Sequence, residues 1–406
     1  MRILIVTQYF WPENFRINEI AAHLKSKGNH VEVFTGLPNY PSGKIFEGWG
    51  FFKRLKEEYK GIPITRVPHF PRGNGRTLGM TLNFSSFAAF GSLVAPLCVK
   101  GDFDVIFVYG LTPVTLACPA ITLKRTRKIP IVFWLQDLWP ESLEFAANIK
   151  NKVILNFVAN ISSAIYKQAD RMLISSKSFK EALISRGVEE KNIFYYPQAA
   201  ESFYRPLDAQ SVSSEEVSLP EGFRVIFAGN IGMAQGIETI IAAAKRCRDT
   251  NIKWIIIGNG REYERIRNLV IAESLGESVF LLGQKPAEEM PAWFSKADAL
   301  LVTLRKDPVY AMTVPAKIQS YMACGKPILA ALDGEAASLL RESGAGIGVP
   351  AEDAEGLALA ARQMATASLE TRRQWAESSY QYYRENFQFE DSMERLMQHF
   401  SSVAKS

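Results

Sequence analysis

Residues 224–232 read Arg224-Val225-Ile226-Phe227-Ala228-Gly229-Asn230-Ile231-Gly232, a short apolar run that breaks at a glycine turn. Such a run is too short for a buried helix and predicts a strand covered on both faces. Amphipathic sequence follows through Ile237–Ala244, so the unit is strand, glycine turn, helix. The same unit recurs in both directions along the chain. Toward the C-terminus the runs are Trp254–Ile257, Val279–Leu282, Ala299–Thr303, Pro327–Ala330 and Gly346–Val349. Toward the N-terminus they are Ile3–Thr7, Val31–Thr35, Ile64–Val67, Val105–Val108, Ile131–Trp134, Met172–Ser175 and Ile193–Tyr196. Helix-length sequence separates them, which predicts stacked βαβ units and an α/β fold with parallel sheets.

Between Pro206 and Glu221 the pattern lapses into Asp, Ser, Glu and Pro, a composition suited to an exposed linker. A chain of 406 residues also exceeds one ordinary core of roughly 150 residues. Two doubly wound, Rossmann-like domains are therefore expected, over 1–205 and 206–384. The polar, aromatic tail Arg372–Lys405 reads as one or two helices that either finish the second domain or cross back to the first. In open parallel sheets ligands bind beyond the carboxyl ends of the strands, so chemistry is expected in those loops and in a cleft between the two domains.

Composition removes the other classes. With 47% hydrophobic and 22% charged residues the chain can bury a core, which excludes disordered, collagen-like and coiled-coil readings. The net charge of +5 hides an asymmetry: 25 basic residues face 15 acidic ones in 1–200, against 22 and 27 in 201–406. The densest stretch holds Lys53, Arg54, Lys56, Lys60, Arg66, Arg72 and Arg76 against only Glu57 and Glu58. It is either a solvated basic face or a surface for anionic lipid or phosphate; no nucleic-acid partner is expected. Cys98, Cys118, Cys247 and Cys324 are scattered without a C-x-x-C pair, so neither a metal site nor a disulfide framework is expected, and a reducing cytoplasm fits. The apolar start Ile3–Thr7 is too short for a signal peptide. Thr77–Val99 is uncharged and long enough to span a bilayer, but its Asn83, Ser85, Ser86, Ser92 and Pro96 favour an internal helix touching a membrane along one edge.

Several loops carry residues suited to one chemistry. Gly229-Asn230-Ile231-Gly232 and Gly258-Asn259-Gly260 each follow a strand and can aim backbone N–H groups at a phosphate. Neither is a dinucleotide fingerprint, and no Walker motif exists. In Thr313-Val314-Pro315-Ala316-Lys317, Thr313 is placed to cap a helix started by Pro315, with Lys317 in its first turn. A lysine there opposes the helix dipole, so it either faces solvent or holds a diphosphate. Asp137, in Gln136-Asp137-Leu138-Trp139-Pro140-Glu141, follows a strand as a helix cap or a general base whose aromatic neighbours would raise its pKa. The four histidines lie apart from these loops, and a histidine-based mechanism is not expected.

Lys27-Gly28-Asn29-His30-Val31, the two glycine loops and Tyr321-Met322-Ala323-Cys324-Gly325-Lys326-Pro327 together resemble the GT4-type family of nucleotide-sugar glycosyltransferases over essentially the whole chain. Tyr9-Phe10-Trp11-Pro12-Glu13-Asn14, Gly36-Leu37-Pro38-Asn39-Tyr40-Pro41 and Asp137-Leu138-Trp139-Pro140-Glu141-Ser142 resemble its bacterial polysaccharide subgroup, which includes L-fucosamine (FucNAc) and colanic-acid transferases. The resemblance implies the two-domain GT-B fold, with a crossover helix over about 385–406, and a metal-independent reaction without a cofactor. It implies transfer of a sugar from a UDP-sugar, here UDP-L-FucNAc, to a polyprenyl-diphosphate-linked saccharide of O-antigen or capsule. The enzyme would sit peripherally on the anionic inner face of the cytoplasmic membrane.

The resemblance further implies donor contacts from Gly229, Asn230, Gly232, Gly258, Gly260, Gln284, Arg305, Thr313, Lys317, Ser320 and Glu335. Acceptor contacts would come from Asn14, Asn39, Tyr40 and Trp139, and Asp137 or Glu13 would take the acceptor's proton. The chain departs from the family at Met312 and Ser320, where two glutamates are usual, and at Asn230 and Gln235, where Arg and Lys are usual. Gln136 stands in the place of a frequent catalytic His. The diphosphate charge must then be met by other cations, Lys317 and Arg305, and both retention and inversion stay open. Two other readings compete: a UDP-sugar epimerase on a similar scaffold, and a non-catalytic sugar-nucleotide-binding subunit.

Overall fold

The computed structural model describes residues 1–73, 77–146, 151–213 and 217–404. The chain forms two compact units, Met1–Pro197 joined by Met393–Ser406, and Gln198–Ser392. Both are α/β units built on parallel sheets.

The first unit holds β1 (Arg2–Val6), β2 (His30–Gly36), β3 (Lys56–Tyr59), β4 (Ile62–Val67), β5 (Val105–Gly110), β6 (Ile131–Leu135), β7 (Arg171–Ile174) and β8 (Ile193–Tyr195). Their order is β3-β4-β2-β1-β5-β6-β7-β8, with Ile5 of central β1 flanked by Val33 and Phe107. Every residue of β5 and β6 is buried, as parallel strands covered by helices require. Only β3 is antiparallel, and the sequence reading missed it. Its Lys56-Glu57-Glu58-Tyr59 is too charged to read as a buried run, which is how a sheet edge is commonly protected. The C-terminal helix Phe389–Ser401 supplies Met393, Leu396 and Phe400, all buried, and Phe400 meets Phe107 edge-on at 5.2 Å.

The second unit holds β9 (Phe223–Ala228), β10 (Ile252–Ile257), β11 (Val279–Leu281), β12 (Ala299–Thr303), β13 (Ile328–Ala331) and β14 (Gly346–Val349), all parallel, in the order β11-β10-β9-β12-β13-β14. Alternation along β9 sends Val225 and Phe227 into one apolar layer and Ile226 and Ala228 into the other. The stretch expected as an exposed linker packs instead on this unit. Val212 and Val217 are buried in its core, and Lys296 Nζ donates to the Ala209 and Val212 carbonyls at 2.6 and 2.5 Å. Of that stretch, residues 214–216 lie outside the described residues.

Thr77–Cys98 forms one helix. Asn83, Phe87, Gly91 and Ala95, spaced four apart, turn inward with Phe84 beside them, and the helix packs on the helix Cys118–Arg127. Its outer face shows Leu78, Leu82, Leu93 and Leu97 to solvent. Among the described residues it is the one helix long and apolar enough to cross a membrane, by length and composition.

Buried carboxylates join the loops beyond the strands of the first unit. Glu13, after β1, is 2% exposed, and its Oε1 accepts the backbone N–H groups of Asn39 and Tyr40, after β2, at 2.9 and 2.7 Å. Burial outweighs these bonds and pushes the Glu13 carboxyl up to about 7. A pKa raised in the folded state contributes stability below the unfolded value, and that contribution is lost as pH rises through 7. Glu13→Gln keeps the acceptor and removes the charge, so thermal unfolding should show it more stable than the parent at pH 8 and not at pH 5. Glu13→Ala strands two buried donors and should cost about 1–3 kcal/mol at both pH values.

Candidate active site

Each donor residue expected from the sequence lies beyond the carboxyl end of a strand of the second unit or in the helix that follows it. Adjacent strands bring these loops side by side. Gly229 N–H donates to the Ile257 carbonyl at 2.9 Å, Ile231 N–H to Asn259 at 2.9 Å, and Gly258 N–H to Gly283 at 2.8 Å. The loops after β9, β10 and β11 are thereby interlocked. At Gly258, with φ +149°, a Cβ would collide with the Gly229 carbonyl, so a glycine is required for this approach. Asn230 and Gln284 are exposed beside these turns, and Gly260 is half-buried.

The first glycine loop does not open the helix directly, contrary to the sequence reading. A single 3₁₀ turn, Met233–Gln235, intervenes, and the helix Ile237–Arg246 begins after Gly236. That turn brings Gln235 back toward the strand ends, where its carbonyl accepts the Thr303 hydroxyl at 2.6 Å and Ala234 accepts the Arg305 N–H at 3.0 Å.

Lys317 is the first residue of the helix Lys317–Ala323. Its Nζ donates to Gln235 Oε1 at 2.8 Å and stands 3.8 Å from the centre of the Phe227 ring. A Cβ on Gly229 would come within 3.0 Å of that nitrogen, so the ammonium lies directly against the first glycine loop. Among the described residues no carboxylate pairs with it. Burial alone moves its pKa down to about 7. A cation held where charge is disfavoured, with an amide oxygen and a π face as its company, marks a functional-site candidate.

The remaining donor candidates are less committed to this centre. Arg305 is exposed and ion-pairs with Glu352 at 3.3 Å. Thr313 does not cap the helix as expected, because its hydroxyl turns back to the Tyr310 carbonyl at 2.9 Å, and the helix start at Ala316 has no side-chain cap. Ser320 is buried, with its hydroxyl 3.4 Å from the Ala316 carbonyl of its own helix, and Glu335 lies in the first turn of Gly334–Ser343.

In the first unit, Asp137 follows β6. Its Oδ2 accepts both the N–H of Thr112, at 3.0 Å, and the Thr112 hydroxyl, at 2.9 Å, while Trp139 Nε1 donates to that same hydroxyl at 3.3 Å. Thr112 follows the adjacent strand β5. Among the described residues nothing donates to Asp137 Oδ1. Burial raises the carboxyl above its ordinary range, opposed by the two bonds from Thr112. The sequence reading missed Thr112, whose signal was its place in Leu111-Thr112-Pro113 just after a buried run.

The acceptor candidates separate into open and enclosed groups. Asn14 and Tyr40 are exposed. Asn39 is not presented to a ligand, because it is fully buried and its amide is spent on the Leu37 carbonyl, at 2.9 Å, and the Arg72 N–H, at 3.1 Å. Trp139 is buried, and its backbone N–H donates to the Tyr166 hydroxyl at 3.0 Å. Of the basic stretch, Arg66 turns inward to Glu57 and to the Trp11 and Gly36 carbonyls, while Arg76 lies outside the described residues. The charge there is partly structural. No group of three or more His, Cys, Asp or Glu gathers among the described residues.

Comparison with known proteins follows the same division into halves. The glycosyl transferase 4-like domain matches residues 14–198, and the family described as glycosyl transferases group 1 matches residues 211–382. The chain is 26% identical over 338 residues to the putative colanic acid biosynthesis glycosyl transferase WcaI of Escherichia coli, covering 80% of this chain and 82% of that one. It is also 26% identical to the probable glycosyltransferase WbjE of Pseudomonas aeruginosa, over 71% of this chain and 73% of that one. Among solved structures, Anabaena Alr3699/HepE in complex with UDP-glucose superposes with a TM-score of 0.73 at 17% identity, covering 99% and 100% of the two chains. Sucrose-phosphate synthase from Thermosynechococcus elongatus superposes with a TM-score of 0.75 at 18% identity, covering 99% and 98%. With a parallel-sheet unit in each half and the two domain matches spanning nearly the whole sequence, the chain belongs to the glycosyltransferases of the GT-B fold.

Proposed function

We propose that this glycosyltransferase takes its sugar from a UDP-sugar bound by the second unit and passes it to a polyprenyl-diphosphate-linked saccharide bound by the first. The observation that carries the donor half is the Lys317 ammonium, unpaired by any carboxylate among the described residues and set against the Gly229 loop. As the diphosphate leaves the anomeric carbon, negative charge grows on its oxygens, and a fixed cation with backbone donors beside it stabilises that charge. Lys317 thus replaces the positive charge that Asn230 and Gln235 do not bring.

Asp137, with Oδ1 unoccupied by the protein and its carboxyl raised by burial, is the group assigned to orient the acceptor hydroxyl and accept its proton. Glu13 is assigned to holding the acceptor loops together rather than to proton transfer, since it is 2% exposed with Oε1 accepting from Asn39 and Tyr40, whereas Asp137 is half-buried. UDP is supported as the donor base by the UDP-glucose complex of the similar Anabaena protein. A surface-polysaccharide product is supported by the colanic-acid name of the Escherichia coli relative. L-FucNAc as the sugar rests on the motif resemblance alone.

Peripheral attachment to the inner face of the cytoplasmic membrane is supported by the outer leucines of Thr77–Cys98. Beside them stands the basic end of the adjoining helix, where Arg127 donates to the Pro96 and Gly101 carbonyls and Arg125 and Lys128 are exposed.

Four measurements check this reading. In a thermal-shift screen UDP-sugars should raise the unfolding midpoint and GDP-sugars should not; preference for a GDP-sugar would remove the UDP assignment. In calorimetry Lys317→Ala should raise the UDP Kd by about tenfold or more. The parent's affinity should also fall as pH climbs from 6 to 9, because the ammonium loses its proton near 7, while the variant's should not. With a lipid-linked acceptor, Asp137→Asn should lower kcat by roughly 10²–10⁴ and leave UDP affinity and the unfolding midpoint near those of the parent, because the amide oxygen still accepts from Thr112. Finally, Leu93→Asp with Leu97→Asp should reduce co-sedimentation with phosphatidylglycerol vesicles several-fold. Salt at 1 M, where screening shortens to about 3 Å, should do the same to the parent.

A further inference from the structure

Arg72 carries a guanidinium for which the described residues provide no anion. Its centre stands 5.3 Å from the Tyr40 ring, 5.8 Å from Phe84 and 5.9 Å from Tyr9. Among the described residues its one hydrogen bond is made by its backbone N–H, which donates to Asn39 Oδ1 at 3.1 Å. Arg66 shows the contrasting case of an arginine wholly consumed by the fold, through Glu57 and two carbonyls. Three π faces hold a cation in place while leaving its planar N–H fork open to a phosphate.

A second, independent feature lies beside it. The Tyr9 hydroxyl is buried, with the residue 3% exposed, and has no hydrogen-bond partner among the described residues. An unmet donor of this kind next to a free guanidinium forms two sides of an oxyanion site. Glu13 and Asp137 are the carboxyls within electrostatic reach of the Tyr9 hydroxyl, and Arg72 is the cation that offsets them there. The third ring, Phe84, belongs to the helix whose outer face carries Leu78, Leu82, Leu93 and Leu97. An anion at Arg72 would therefore sit on the inner side of a helix whose outer side suits an apolar chain.

We propose that Arg72 and the Tyr9 hydroxyl form the anion subsite of the first unit and hold the diphosphate of a prenyl-linked acceptor. The inference rests on the acceptor reading above, which named no group for that charge.

The test is calorimetric titration of the full-length protein with geranyl diphosphate, inorganic diphosphate and geraniol. The parent should bind geranyl diphosphate, and Arg72→Gln should weaken it by about tenfold or more, with UDP affinity and unfolding midpoint unchanged. Arg72→Lys, which keeps the charge and loses the fork, should weaken it at least about threefold and decides the matter should Arg72→Gln not fold. Geranyl diphosphate affinity equal in parent and both variants overturns the subsite. Inorganic diphosphate or geraniol binding as tightly as geranyl diphosphate overturns its assignment to a prenyl diphosphate. Absence of UDP binding to the parent would strike the donor reading instead and leave the Arg72 comparison intact.

Discussion

A lysine held against a glycine loop without a counter-ion among the described residues is the constraint from which the second unit can be understood. Burial disfavours the Lys317 charge, and the fold returns only an amide oxygen from Gln235 and the face of Phe227. A folded protein does not retain such an arrangement for stability, since an unpaired buried cation is costly. The surroundings are nevertheless built to keep it. The 3₁₀ turn after Gly232 returns Gln235 to the strand ends, Thr303 fixes that turn through its carbonyl, and Gly229 leaves room for the ammonium. The proposed reading is that an arriving anion offsets this cost, the diphosphate of the proposed UDP-sugar donor.

The first unit solves a different problem with the opposite charge. Loops beyond parallel strands carry backbone N–H groups that no neighbouring strand can satisfy. Glu13 takes two of them from the loop after β2, and Asp137 takes one, with a hydroxyl, from the loop after β5. Each carboxylate bridges neighbouring strand ends, and each is raised by burial. Each keeps one oxygen to which no described residue donates, and they differ in exposure: Glu13 Oε2 is enclosed in a residue 2% exposed, whereas Asp137 is half-buried, which is why the proposed chemistry is placed on Asp137.

How much of this was legible in the sequence follows from the range of the forces involved. Strand runs such as Val105–Val108 and Arg224–Ala228 announced themselves because double-sided burial leaves a continuous apolar signature. β3 did not, because an edge strand is selected for charge. The glycine loops and Lys317 were visible as motifs, but the partners that define the lysine, Phe227 and Gln235, are brought to it by the sheet. Thr112 was invisible for the same reason: it meets Asp137 only because β5 and β6 are neighbours. Asn39 and Thr313 were misjudged because a polar side chain in a loop looks available until its own backbone is seen to claim it. The expected linker failed on two valines, 212 and 217, whose burial is set by the unit they pack against.

The central claim, that the second unit keeps Lys317 unpaired in order to receive a diphosphate, is tested most directly by a crystal structure of the protein with UDP. The account predicts the Lys317 ammonium within about 3 Å of a diphosphate oxygen, with the Gly229 loop beside the same phosphates. UDP bound with its diphosphate remote from Lys317, while the ammonium remains on Gln235 and Phe227, would contradict it.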